Sequence, residues 1–174
     1  MTTIDELIEY LNTHDRTLVV MCAVPCSGKS TLTNYILDNV SNGIEVLSTD
    51  NILNEIAISE NSTYKEVWSD NIVSADKLYK KQSLEIAKTG KNAISDRMNV
   101  TAKVRWNLIA KFHKYTKIAV YIKTPEIDVL VDRYLSRNQE EGTKVHMSTI
   151  IDIIRDLTIP DVNEGFDYVL IVDN

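Results

Sequence analysis

The sequence predicts an α/β fold, a parallel sheet of about five strands with helices on both faces. Short apolar runs alternate with segments of helical periodicity, the pattern of repeated βαβ units. The first run, Thr17 to Cys22, leads into Ala23-Val24-Pro25-Cys26-Ser27-Gly28-Lys29-Ser30-Thr31 and then a helical segment ending near Val40. Two further runs end on acids, Asp50 and Asp96. Parallel sheets gather ligands at the carboxyl ends of their strands, so these three strand ends point to one site.

In chain order, Thr3-Ile4-Asp5-Glu6 reads as a capping box. It opens a helix with Ile4, Leu7, Ile8 and Leu11 at helical spacing, so residues 1–15 form a helix ahead of the first strand. Ile44 to Asp50 predicts a second strand. Residues 52–72 hold apolar positions at mixed spacing and fit neither period. Asn71 to Thr89 is helical and stops at Gly90. Asn92 to Asp96 is a short third strand, and Thr101 to Tyr115 an amphipathic helix with Val104, Leu108, Ile109 and Phe112 inward. A fourth strand spans Lys117 to Ile122. Pro125 suits the start of a helix that runs to about Asn138 and is broken by Gly142. Ser148 to Leu157 is helical, and the last strand lies within Phe166 to Val172.

The length, 174 residues, suits one domain, and 44% apolar residues suffice for a core. No apolar run reaches the ~20 residues of a membrane span, and the first residues lack the basic and apolar regions of a signal peptide. A Cys22–Cys26 disulfide would distort the loop, so both are expected as thiols in a cytoplasmic protein. His14, His113 and His146 are scattered, without zinc spacing. The net charge of −6 is uneven: residues 1–76 carry 12 acids and 3 bases, 77–123 carry 2 acids and 12 bases, and 124–174 carry 11 acids and 4 bases. The basic middle fits either a polyanion-binding face or solvated helix surfaces.

The segment Ala23 to Thr31 matches the phosphate loop G-x-x-x-x-G-K-[ST] with Ala23 in place of the first glycine. Loop amides and the new helix N-terminus wrap an anion. Gly28 permits close approach, Lys29 reaches the terminal phosphates, and Ser30 can ligate Mg2+. The expected ligand is a nucleoside triphosphate, held by Ala23, Val24, Pro25, Cys26, Ser27, Gly28, Lys29, Ser30 and Thr31. Asp50 is the candidate base for an acceptor hydroxyl, or a helix N-cap. Asp96 is a candidate for Mg2+ or substrate, or a turn acid. Arg133 and Arg137, four apart on one helix face, can address one anion, and about residues 125–147 read as a lid. A surface ion pair with Asp132 or Glu141 is the other reading of Arg137.

The order of phosphate loop, Asp50, Asp96 with Arg97 and Asn99, then Arg137-Asn138 before Gly142-Thr143-Lys144 resembles the 5′-kinase domain of phage polynucleotide kinase and its relatives. The likeness covers about residues 17–172. It implies a P-loop kinase-type sheet with a helical lid, ATP and Mg2+ as cofactors, and a nucleic-acid 5′ end as partner. It further implies Asp50 as general base, Lys29 and Ser30 on phosphate and metal, Arg137 over the ATP phosphates, and Asp96 and Arg97 near the acceptor. Ala23 and Cys26 replace glycines, Leu53 replaces an arginine that contacts nucleic acid, and Glu141 replaces a second lid arginine. The leading expectation is therefore a kinase of RNA or DNA 5′-hydroxyls. The alternatives are a small-molecule or aminoacyl-tRNA kinase and a non-catalytic nucleotide-binding module; the oligomeric state is open.

Overall fold

The computed structural model describes residues 1–140 and 146–173. Its strands are β1 (Thr17–Cys22), β2 (Glu45–Leu47), β3 (Ala93–Ser95), β4 (Thr116–Ile122) and β5 (Tyr168–Val172). All pair in parallel, in the order β2-β3-β1-β4-β5. The central strand β1 is buried along its whole length, which is why Thr17 to Cys22 reads as a continuous apolar run.

Alternate strand residues feed opposite cores. Leu18, Val20 and Cys22 join Ala93, Ala119 and Tyr121 on one face. Val19 and Met21 join Ile94, Ile118 and Val120 on the other. Helices α1 (Ile4–Thr13) and α2 (Lys29–Asn39) cover the second face through Leu7, Leu11 and Ile36. Helices α3 (Thr49–Ser59), α4 (Tyr64–Thr89) and α5 (Ala102–Ile109) cover the first through Ile52, Leu53, Ala75, Tyr79, Leu108 and Ile109. Helices α6 (Ile127–Glu140) and α7 (Met147–Asp156) pack Leu130 and Ile150 on Val24, directly over the phosphate-loop segment. Among the described residues no helix is long and apolar enough to cross a membrane.

Several expectations are corrected. The second strand is only three residues long, because Ser48 caps a helix by accepting from the Asn51 amide. Asp50 therefore lies in the first turn of α3, and Ser48 is the N-cap. The segment left unassigned at 52–72 supplies α3 and the start of α4, whose capping box pairs Thr63 with Glu66. The helix expected over Thr101 to Tyr115 stops at Ile109, and its inward face carries Arg105 while Val104 is exposed. At the N-terminus, Thr3 caps α1 as read, but Glu6 reaches back to the Thr2 amide.

Candidate functional site

The loop after β1 is pinned at its start, where the Ala23 amide donates to the Met98 carbonyl at 3.0 Å. Among the described non-glycine residues, positive φ is confined to Arg16, Cys26, Asn61 and Asn99. Ala23 thus replaces a glycine without a conformational penalty. Cys26 does not: its φ of 63° places a β-carbon in the left-handed region. Gly28 has φ 87°, and no atom lies within 4 Å of the position a β-carbon would take. It opens α2, whose first amides have no side-chain cap among the described residues. Those amides and the helix dipole suit an anion. Ser27 bonds back to the Val24 carbonyl at 2.8 Å and tightens the turn.

Lys29 points along the carboxyl edge to Asp96, just beyond β3. Its ammonium bonds the Asp96 carboxylate and lies 3.4 Å from the Asp96 carbonyl. Thr33, one turn along α2 and buried, donates to the same carboxylate oxygen at 3.0 Å. Ser30 shares that first turn of α2. Ser30 and Asp96 offer hard oxygen donors of the kind Mg2+ prefers. Among the described residues no three His, Cys, Asp or Glu side chains cluster as metal ligands. Such a donor set fits Mg2+ shared with phosphates, a cation that keeps few protein ligands.

Asp50 accepts a 2.9 Å hydrogen bond from the Tyr64 hydroxyl at the start of α4. Burial, then the Asp50 charge, pushes the Tyr64 hydroxyl well above the usual phenol range, and Arg137 offsets part of this. Tyr64 is therefore a protonated donor at physiological pH. The Arg137 charge on α6 is thus within electrostatic reach of the Tyr64 hydroxyl.

Arg97 turns to α4, where it pairs with Asp76 at 3.0 Å and lies over the Tyr79 ring at 4.6 Å. Lys80, together with Arg97, holds the Asp76 carboxyl below its ordinary range. Arg133 donates to the Cys26 carbonyl at 3.3 Å and lines a groove of about 610 Å³ with Gly28, Thr31, Tyr35 and Asp173. That volume suits a ligand of nucleotide size. Arg133 thus reaches the loop backbone, and Arg137 lies within electrostatic reach of Tyr64. The expected lid residues Glu141, Gly142, Thr143 and Lys144 lie outside the described residues.

The basic middle of the chain is divided. Arg105 is completely buried, forks onto Glu164 at 2.7 and 2.5 Å, and bonds the carbonyls of Asn99, Val100 and Thr158. It braces the segment after Asp96. Lys91 and Lys123 pair with Glu45 and Asp173. Leu53, where the resemblance to polynucleotide kinases would put an arginine, is buried in the core. Thr33 and Tyr64 were not singled out from sequence. The Thr63-x-x-Glu66 capping box was the available signal for the helix that carries Tyr64.

A five-stranded all-parallel sheet with this loop between β1 and α2 defines a P-loop kinase-like protein, a fold that implies ATP binding, usually with Mg2+. The chain belongs to the AAA_33 family, an AAA domain, which it matches over residues 18–160. Its fold is similar to that of a candidate kinase from Chloroflexus aurantiacus, with TM-score 0.67, 21% identity, and coverage of 90% of this chain and 84% of that one. It is also similar to a chain of the Pnkp1/Rnl/Hen1 RNA repair complex, with TM-score 0.65 and 20% identity over 88% of this chain and 47% of that one. A gluconokinase from Sinorhizobium meliloti matches with TM-score 0.54 and 18% identity, over 92% and 83% of the two chains.

Proposed function

We propose that this chain transfers the γ-phosphoryl group of ATP to the 5′-hydroxyl of RNA or DNA. The observation that carries the reading is the Tyr64–Asp50 hydrogen bond of 2.9 Å. It fixes a carboxylate at the sheet's carboxyl edge, with β3 alone between β2 and the strand that feeds the phosphate loop.

In this reading the amides of residues 23–31 cradle the triphosphate, and Lys29 exchanges Asp96 for phosphate oxygens. Mg2+, when bound, supplies charge neutralisation between the phosphates, with Ser30 and Asp96 as its protein ligands. Asp50 accepts the hydroxyl proton through the oxygen that Tyr64 does not occupy. The acceptor oxygen bonds to phosphorus, and the bond to ADP breaks with its electron pair on ADP. Arg133 and Arg137 steady the donor phosphates, while Asp96 and Arg97 border the acceptor. Residues 1–174 act as one kinase domain, with about 125–147 as its lid. The free thiols of Cys22 and Cys26 suit a reducing cytoplasm.

The neighbour from an RNA repair complex supports a nucleic-acid acceptor. The burial of Leu53 favours a second reading, a small polyol or similar acceptor, as the gluconokinase neighbour's name also suggests. Labelled ATP offered with a 5′-OH oligonucleotide or with a panel of nucleosides and sugars separates the two. Transfer to the oligonucleotide supports the first; transfer confined to a small acceptor replaces it with the second. ATP binding without transfer to any acceptor leaves only a nucleotide-binding module.

A further inference from the structure

Helix α4 is fixed at two points of the site. Tyr64 bonds Asp50, and fifteen residues later the Tyr79 hydroxyl pairs with Ser95 at 2.8 Å beneath Arg97. At 1.5 Å per residue these anchors are ~22 Å apart, so this face of the helix runs from Asp50 to Ser95. Trp68 shares that face, one turn from Tyr64 and at helical spacing from Ala75 and Tyr79. Its neighbours on the stripe are covered, with Val67, Ala75 and Tyr79 all buried, yet Trp68 is 48% exposed. A single exposed apolar residue is ordinary; here a half-open indole sits on a stripe whose other members are buried or half-buried, one turn from the tyrosine that holds the candidate base.

The surface beyond it is cationic. Arg97 and Lys80 both pair with Asp76, and the Lys111 ammonium, partly buried, is near enough to feel the charges of Lys80, Asp76 and Arg97. Arg97 and Lys80 thus share one carboxylate, two turns further along α4, with Lys111 nearby. A planar π-face followed by excess positive charge suits a base and the phosphates behind it.

We propose that Trp68 is the platform on which the terminal base of a single-stranded acceptor stacks, with Arg97, Lys80 and Lys111 drawing the following phosphates. This rests on the polynucleotide reading above. Stacking holds the first nucleotide so that its 5′-hydroxyl meets Asp50.

The test pairs a 5′-OH DNA oligonucleotide with the same oligonucleotide made abasic at its first residue. In Trp106→Phe protein, Trp68 is the remaining indole; its emission should be quenched saturably by the first oligonucleotide and far less by the second. Trp68→Ala should raise KM for the intact oligonucleotide about tenfold and remove the distinction between the two. KM for ATP should stay unchanged, and Trp68→Phe should recover part of the loss. Equal KM for both oligonucleotides with the wild-type protein, or an unchanged KM in Trp68→Ala, overturns the platform alone. Absence of transfer to either oligonucleotide by the wild-type protein overturns the nucleic-acid reading and the platform with it.

Discussion

The Tyr64 hydroxyl donates to Asp50 Oδ1 at 2.9 Å, across the junction of α3 and α4. The donor cannot ionise near neutral pH, because burial and the Asp50 charge hold its proton. Tyr64 thus orients Asp50 without exchanging a proton with it. Hydrogen bonds to charged groups are worth ~1.5–3 kcal/mol. Tyr64→Phe is expected to lower kcat about tenfold while KM for ATP is unchanged, measured by steady-state transfer. A parallel loss of ATP affinity would assign Tyr64 to the donor side instead.

Thr33 holds the Asp96 carboxylate from α2 at 3.0 Å. If Asp96 helps hold Mg2+, Thr33→Val should raise the Mg2+ concentration for half-maximal transfer several-fold, and Thr33→Ser should restore it. Mutation of such supporting groups typically costs ~10–100-fold in metal affinity or activity. An identical Mg2+ titration for Thr33→Val and the wild type would count against Asp96 as a ligand.

Cys26 carries a φ of 63°, a conformation that costs a non-glycine residue ~1–2 kcal/mol. Cys26→Gly removes the side chain but frees the unfolded backbone, so the net gain is ~1 kcal/mol at most. For a chain of this size that is a rise of up to ~2–4 °C in Tm, read by thermal unfolding. A fall in Tm would mean that the Cys26 packing against Val24 and its neighbours outweighs the strain.

Arg105 is buried with every nitrogen bonded, so its removal strands the Glu164 carboxylate and three backbone carbonyls. Breaking a buried pair costs ~3–5 kcal/mol. Arg105→Met should lower the urea midpoint steeply, whereas Lys103→Met, exposed on the same helix, should shift stability by under ~0.5 kcal/mol. Equal effects would place the Arg105 network among dispensable contacts.

Burial pushes the Cys22 thiol from its ordinary value of 9.0 up to about 12. The unfolded chain therefore loses this proton first as pH rises. The associated stability is complete below pH 9 and is lost progressively toward pH 12. Urea midpoints measured at pH 8 and at about pH 10.5 should fall more for the wild type than for Cys22→Ala. Matching slopes would show that Cys22 does not titrate differently in the two states.

The positions of the long strands were legible because parallel strands buried on both faces are short apolar runs, and β1 and β4 follow theirs within a residue. The phosphate loop was legible from Gly28-Lys29-Ser30 set between an apolar run and a helical segment. The acceptor side was not. Asp50 reads as a strand end because Ile44, Val46 and Leu47 are apolar; the cap formed by Ser48 ends the strand earlier. Tyr64 sits where apolar spacing is mixed, and only the Thr63–Glu66 box marks its helix. Arg105 shows the limit of charge counting: a basic residue on an amphipathic helix reads as surface, and Glu164, 59 residues away, makes it core.

The most direct measurement is transfer of labelled γ-phosphate from ATP to a 5′-OH oligonucleotide by the wild type and by Asp50→Asn, with ATP affinity measured alongside. The account predicts transfer by the wild type and a loss of ~10²–10⁴-fold in Asp50→Asn, with ATP affinity within about twofold. Undiminished transfer by Asp50→Asn, or none by an ATP-binding wild type, would contradict it.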